Sequence, residues 1–421
     1  LEGKQKSSDY KLKLPESIRK NASLIDQKLA DISVCDPAVG SGAFPVGMMS
    51  EIVKARNVLT TFIVTQASLS ACGDAQAGSL NPETLTGFQT LSVLRSDTPR
   101  TAYDFKRQCI EKSLYGVDID PGAVEIAKLR LWLSLVVDED DIKNIKPLPN
   151  LDYRIMQGNS LIEILTPEFL EVAFDQEKKT LITQLRKAKD ELFGISSPSL
   201  KEIKRKEIGA LIAKIIEHDK KAAIEKINLK IRSKKELYKL LKDKILEEVN
   251  KKEMLELEEK IQEIKDLKIP GPSEHFEWHL NFAEIFLEKG RFDIVIANPP
   301  YLRIQEIQKN TPELAEKLKD CYLSASGSYD IYACFVELAI RLMHDKGNIA
   351  YILPHKFFQA SFGKNLRKLI STEKLLRKIV DFGSSQVFES ATTYTCLLFL
   401  SSQNNNFKFA ELKPNTKLDD L

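Results

Sequence analysis

At 421 residues, with 43% hydrophobic and 29% charged side chains, the chain holds enough apolar material for a large core and more than one structural unit. Its 62 Lys and Arg nearly balance 60 Asp and Glu, which argues against a protein that coats nucleic acid through a global basic field; any such surface must be a local patch. Six cysteines with no close pair argue against a disulfide-stapled secreted scaffold and against paired thiolate sites, so reduced thiols in a cytoplasm are expected. No apolar run reaches the roughly twenty residues of a membrane span, and no signal-peptide pattern follows Leu1.

Short apolar runs rich in β-branched residues alternate with helical patterns, the habit of a parallel α/β sheet. Strands are predicted at Ile32–Cys35, Leu114–Ile119, Tyr153–Met156, Phe292–Ala297, Asn348–Leu353, Leu376–Phe382 and Thr395–Leu400. Helices are predicted at Val46–Phe62, Pro121–Val137 and Tyr329–Met343, the last behind a Ser328 N-cap and ahead of an Asp345-Lys346-Gly347 turn. Thr65–Ser96 reads as a polar surface excursion. Thr166–Leu267 is crowded with Lys and Glu and broken near Gly194–Pro198. Its apolar residues recur at helical spacing, as in Ile208, Leu211, Ile212, Ile215 and Leu237, Leu240, Leu241, Ile245, so two or three helices packed side by side are expected, ended by Pro270-Gly271-Pro272. The charges of this insertion suit either a solvated helix surface or a contact with DNA or a partner. Gln403–Asn406 reads as a linker.

Chemistry concentrates in four places. Asp36-Pro37-Ala38-Val39-Gly40-Ser41-Gly42-Ala43-Phe44 carries a strand through a glycine turn into a helix, where free N–H groups and bare backbone admit a ligand with carboxylate and ammonium groups. By itself the same pattern is a tight strand-to-helix turn. Asp118 ends the second strand, where a carboxylate accepts from ribose hydroxyls, with Ile119 beside an adenine ring; Asp120 either joins it or caps the helix from Pro121. Asn159, Ser160 and Leu161 end the third strand, at an adenine edge or in a plain turn.

The fourth place is Asn298-Pro299-Pro300-Tyr301, delivered by a buried strand to the carboxyl edge of the sheet. An exocyclic amine is a poor nucleophile because its lone pair is delocalised into the ring. If the Asn298 side-chain oxygen and the Pro299 carbonyl accept its two hydrogens, the nitrogen becomes tetrahedral and its lone pair localises. The prolines fix φ, and Tyr301 offers a stacking face. This scheme calls for no metal, histidine base or covalent intermediate, and His355 is given no role.

These residues resemble the Rossmann-like S-adenosylmethionine-dependent methyltransferases, specifically the adenine-N6 DNA methyltransferases in the gamma arrangement. With the insertion, Gly327-Ser328-Tyr329-Asp330-Ile331-Tyr332 and Gly347-Asn348-Ile349-Ala350-Tyr351-Ile352-Leu353-Pro354, the chain looks most like the methyltransferase region of type IIG restriction-modification enzymes. The resemblance implies an α/β fold with a seven-stranded, mostly parallel sheet and a long α-helical insertion. It implies a cofactor-binding half (1–165), the insertion (166–270), a catalytic half (271–402) and a linker (403–421) towards an absent target-recognition domain. It assigns Asp36 through Gly42 and Phe44 to the methionine end of S-adenosylmethionine, Asp118 and Ile119 to ribose and adenine, and Asn159, Ser160 and Leu161 to the adenine edge. Several relatives carry Asp where this chain has Asn159. Asn298, Pro299, Pro300 and Tyr301 become catalytic, and Phe388 in Gln386-Val387-Phe388-Glu389 becomes a second stacking ring for a flipped adenine of duplex DNA, or else a core Phe. A Tyr-Thr-Pro-like segment is not found ahead of the first strand, and a fragment of a longer enzyme, with or without a nuclease, is expected.

Lys356, Lys364, Arg367 and Lys368 open a basic concentration that suits DNA phosphates or a solvated helix face. Alternative readings are a protein glutamine N5-methyltransferase, which shares the Asn-Pro-Pro-Tyr element, and a non-catalytic DNA-binding subunit. Cytosine-N4 transfer usually has Ser in place of Asn298.

Overall fold

The alternation of apolar runs and helical patterns produces an eight-stranded mixed sheet, one strand more than expected. The computed structural model describes residues 14–71, 100–137, 150–163, 175–195, 197–241, 244–266, 276–383 and 394–412. The strands are β1 (Val34–Asp36), β2 (Leu114–Asp118), β3 (Ile155–Gln157), β4 (Phe292–Ala297), β5 (Met343–Pro354), β6 (Leu376–Asp381), β7 (Thr395–Ser401) and β8 (Lys408–Glu411). Their spatial order is β3-β2-β1-β4-β5-β7-β6-β8. β7 runs antiparallel to β5 and β6, whereas β4 is parallel to both β1 and β5. The strand order reverses direction between β1 and β4, and a crevice opens beyond the carboxyl ends of strands at such a point. Cys35 pairs with Val295, so Asp36 and Asn298 leave the sheet on neighbouring strands at the same edge.

Two compact units share the chain, and residues 1–165 divide between them. The first unites Leu1–Ile32, Val46–Leu114 and Leu133–Ile145. Among its helices are α1 (Glu16–Lys20), α2 (Ala22–Ala30), most of α3 (Ala43–Ala71) and α4 (Ala102–Lys112). A Thr101–Asp104 capping box starts α4. Buried Arg56 donates to Asp26 Oδ1 (2.8 Å) and Gln108 Oε1 (2.7 Å), and Arg100 reaches Asp26 Oδ2 (3.0 Å), so each oxygen of this buried carboxylate has a cationic partner.

The second unit contains the sheet, part of α5 (Pro121–Val136) and everything from Lys146. Among the described residues the insertion forms three helices, α6 (Gln176–Gly194), α7 (Pro198–Leu241) and α8 (Lys244–Asp266). Ile208, Leu211, Ile212 and Ile215 of α7 pack on Ile182, Leu185, Ala188 and Leu192 of α6 as the spacing requires. Further along α7, Ile227 and Ile231 meet Ile261 and Ile264 of α8. The side chains of Leu237, Leu240, Leu241 and Ile245, and the whole of Pro270-Gly271-Pro272, lie outside the described residues, as does most of Thr65–Ser96.

Chain returning from the insertion forms α9 (Trp278–Asn281) and α10 (Ala283–Glu288). Phe276, Trp278 and Phe282 enter the main core, where Phe282 meets Tyr115 edge-on at 5.0 Å. A buried polar set fixes this base: Lys189 of α6 donates to Asn281 O (2.6 Å) and Glu284 Oε2 (2.9 Å), while Arg154 pairs with Glu284 and with the Tyr115 hydroxyl. Gly158 presses on the same place, since a Cβ there would lie 2.1 Å from Phe276 Cβ. Gly158→Ala is therefore expected to destabilise the chain by about 1–3 kcal/mol through overpacking. A denaturant midpoint equal to that of the parent would show that Phe276 moves aside freely.

Four shorter helices complete the unit: α11 (Ile304–Asn310), α12 (Pro312–Cys321), α13 (Tyr332–Leu342) and α14 (Lys364–Thr372). Helix α13 begins at Tyr332 behind Ile331 with no side-chain cap, not at a Ser328 cap. The peptide before it is spent elsewhere: Ile331 N–H donates to Leu302 O, and Ile304 N–H to Tyr329 O. Asp345-Lys346-Gly347 does not separate helix from strand but sits within β5, between Met343, opposite Phe292, and Asn348, opposite Ile294. Residues 403–421, expected as a linker, contain β8, which extends the sheet beside β6.

Candidate active site at the carboxyl edge of the sheet

β1 ends at Asp36, which is only 1% exposed. Oδ1 accepts from Ala38 N–H at 3.0 Å, and Oδ2, also buried, has no hydrogen-bond partner among the described residues. Burial pushes the carboxyl up to about 8; the Ala38 N–H opposes this and the nearby Asp118 carboxylate adds to it. A buried acceptor without a donor is costly, and a cationic donor from a ligand relieves it. The turn that follows needs its glycines: Gly40 and Gly42 have φ of +50° and +80°. A side chain on Gly42 would also stand 3.0 Å from Ala127.

Asp118 closes the other side of this turn. Its Oδ2 accepts from Gly40 N–H (2.8 Å) and its Oδ1 from Asp120 N–H (3.0 Å), which leaves further lone pairs on both oxygens. Ile119 is 66% exposed beside it, an open apolar surface at the strand end. Asp120 accepts from Gly122 N–H at 2.7 Å and so caps α5. The third strand end differs from expectation. Asn159 Oδ1 accepts from Leu161 N–H (3.0 Å), Leu161 is a buried core residue, and Ser160, also buried, turns its hydroxyl inward to Pro37 O (2.6 Å). Ser160 and Leu161 thus belong to the packing behind the Asp36 turn, and of the three only Asn159 is partly exposed.

β4 ends at Ala297, and Asn298 projects into solvent while Pro299 is buried. The Tyr301 hydroxyl donates to Asn298 Oδ1 at 2.7 Å and lies 3.3 Å from Ile352 O on β5. Burial raises the Tyr301 phenol well above its ordinary range, so it stays a donor. Its ring is buttressed edge-on by Tyr332 at 6.4 Å, and Tyr332 in turn by Phe357 and Phe362. The amide oxygen is therefore held outward by a hydroxyl that is itself fixed by packed rings. Tyr332 as buttress is a role that sequence reasoning missed; its only trace was the aromatic repeat in Tyr329-Asp330-Ile331-Tyr332.

The remaining candidates separate. Phe388 and its segment lie outside the described residues. Lys356, Lys364 and Lys368 are exposed, and half-buried Arg367 donates through Nη1 to Phe357 O (2.5 Å) and Ala360 O (2.9 Å), which ties α14 to the turn after β5. His355 Nδ1 lies 2.8 Å from Asp381 Oδ1. A cavity of about 530 Å³, lined by Phe357, Ile370, Ile379 and Leu398 among others, lies away from Asn298 and contains none of the predicted catalytic residues.

The Asp36 turn and the amide corner lie on adjacent strands at the reversal of the strand order. A family model described as Eco57I restriction-modification methylase matches residues 112–388, and the chain belongs to that family. It is 43% identical over 124 residues to the type II restriction enzyme and methyltransferase RM.Eco57I of Escherichia coli, covering 29% of this chain and 12% of that protein. It is 25% identical over 410 residues to a provisionally named type II restriction enzyme and methyltransferase, RM.MjaORFECS2P, of Methanocaldococcus jannaschii, covering 89% of this chain and 30% of that one. Among solved structures, the type IIL restriction-modification enzyme MmeI in complex with DNA aligns with a TM-score of 0.42 at 12% identity, over 94% of this chain and 35% of MmeI. The chain thus spans less than a third of the length of these two relatives. No helix among the described residues is long and apolar enough to cross a membrane.

Proposed function

We propose that the chain is the catalytic core of a restriction-modification enzyme that moves a methyl group from S-adenosylmethionine to the N6 amine of a flipped adenine in duplex DNA. The reading rests above all on the Asn298 amide oxygen, held outward at the sheet edge by the Tyr301 hydroxyl, one strand away from the Asp36 pocket. The pocket suits the proposed cofactor: the orphaned Asp36 oxygen would take the methionine ammonium, the Gly40–Gly42 backbone its carboxylate end, Asp118 the ribose and exposed Ile119 the adenine. When bound, the cofactor supplies a methyl group on positively charged sulfur, a strong electrophile.

The chain's own part is orientation and electrostatics. Asn298 Oδ1 has two lone pairs, so it can keep the Tyr301 hydroxyl and still accept one N6 hydrogen while the Pro299 carbonyl accepts the other. Both acceptors gain strength as the amine becomes tetrahedral and positive, which is where differential stabilisation is needed. Tyr301 presents its ring to a base taken out of the stack, and Lys356, Lys364 and Lys368 would position the duplex through phosphates. Recognition and nuclease domains of the parent polypeptide would add site choice and cleavage.

The test is to supply the full-length protein with methyl-labelled cofactor and duplex DNA, then digest the DNA to nucleosides. Label in N6-methyl-2′-deoxyadenosine supports the reading. Label in N4-methylcytosine, in a protein glutamine, or nowhere would replace it with one of the alternatives.

A further inference from the structure

The peptide joining Pro37 to Ala38 is gripped from both ends. Its N–H donates to Asp36 Oδ1 at 3.0 Å, and its carbonyl accepts from Ser160 Oγ at 2.6 Å. Because a peptide is planar, the hydroxyl that fixes the carbonyl also fixes the direction of the N–H, and with it the Asp36 carboxylate. Ser160 is pinned in turn. Its backbone carbonyl accepts from Trp278 Nε1 at 2.9 Å, and Trp278, 1% exposed, donates its own N–H to Glu163 Oε1 at 3.0 Å. Trp278 opens α9 on the segment returning from the insertion, and Asn281 closes that turn by accepting from Glu277 N–H. The same Asn281 offers its backbone carbonyl to Lys189 of α6.

We propose that Trp278 and Ser160 are positioning residues of the cofactor pocket, setting the Asp36 carboxylate through the Pro37–Ala38 peptide, so that the base of the helical insertion forms part of the frame that holds the cofactor. This rests on the functional reading above. Neither side chain needs to touch the cofactor. A buried indole donor and a buried serine hydroxyl, 118 residues apart, are spent on consecutive links of one chain of hydrogen bonds that ends at the pocket's carboxylate.

The test uses Trp278→Phe, which keeps an aromatic ring and removes the donor, and Ser160→Ala, with Ser160→Thr as the conservative control. Loss of one buried hydrogen bond is expected to weaken S-adenosylmethionine binding about five- to tenfold in each variant. KM for the cofactor should rise, kcat at saturating cofactor should stay within about twofold, and Ser160→Thr should recover affinity. Joined in one chain, the two changes should cost less than the product of their separate effects, because they break the same relay. Unchanged affinity in both variants, or loss of kcat with affinity intact, overturns the proposal. A cofactor-free readout separates it from the functional reading: the Asp36 carboxyl, followed by carbon-13 NMR, should titrate higher in Ser160→Ala, whose Ala38 N–H is no longer aimed. If the parent chain takes up no S-adenosylmethionine, the functional reading fails while this titration still decides the positioning claim, and an unmoved titration sinks it.

Discussion

Asn298→Ala is expected to lower methyl transfer to DNA by about a hundred- to a thousandfold while cofactor affinity changes less than twofold. On the proposed reading the two effects separate, because the amide oxygen would serve the amine of the base, whereas Asp36, Gly40 and Asp118, on β1 and β2, would hold the cofactor. The fold should tolerate the change, since Asn298 is exposed and its neighbours Ala297 and Pro299 carry the local packing. The measurement pairs single-turnover methylation with cofactor titration on the same preparation. Undiminished turnover would remove Asn298 from the mechanism, and equal losses in turnover and cofactor affinity would mean that the corner had collapsed.

Asp36→Asn is expected to act in two opposite directions. In the parent chain burial raises the carboxyl to about 8, whereas in the unfolded chain it ionises near pH 4. Between those values the folded state keeps a proton that the unfolded state has released, so this group makes stability fall as pH rises through that window. An amide at the position carries no such liability, and the cofactor-free variant should melt higher than the parent at pH 8, with the difference shrinking towards pH 4. Cofactor binding should move the other way. Below about pH 8 an incoming ammonium must displace the Asp36 proton, so affinity in the parent should climb by up to about tenfold per pH unit on the acid side. It should turn over where the ligand's own amine begins to lose its proton, near 8 for an α-amino group. The acid limb should vanish in the variant, whose affinity is uniformly weak. Titration calorimetry in buffers of different ionisation enthalpy checks the proton release directly. A parent chain whose affinity is flat between pH 6 and 8 would show that Asp36 does not meet the ammonium.

Much of the geometry of the sheet edge was legible because it is written in adjacent residues. β4 was read to the residue, since an apolar run ended by Asn-Pro-Pro admits one boundary. The glycine loop and Asp118 were equally local. The failures share a physical cause, in that a partner outside the local residue pattern decides each of them. Ser160 faces inward because the Pro37 carbonyl, 123 positions earlier, waits for its hydroxyl. Arg367 ties its helix to two carbonyls of the preceding turn, a contact that a count of basic residues does not show. Helix α13 starts later than its serine suggested because the residues ahead of it bond to Leu302 and Ile304. β8 has no hydrophobic alternation to betray it, as all four of its residues are exposed and its order comes from β6.

The two apolar seams along the insertion have a bearing on how such enzymes diversify. One seam joins α6 to the root of α7 and to Leu280 and Ala283 of α9 and α10, and the other zips α7 to α8 without touching the root. Helix α7 reaches roughly 66 Å at 1.5 Å per residue. Selection can therefore lengthen, shorten or re-charge the distal hairpin without disturbing the stretch that braces the catalytic edge, much as a crane's jib is exchanged while its footing stays bolted down.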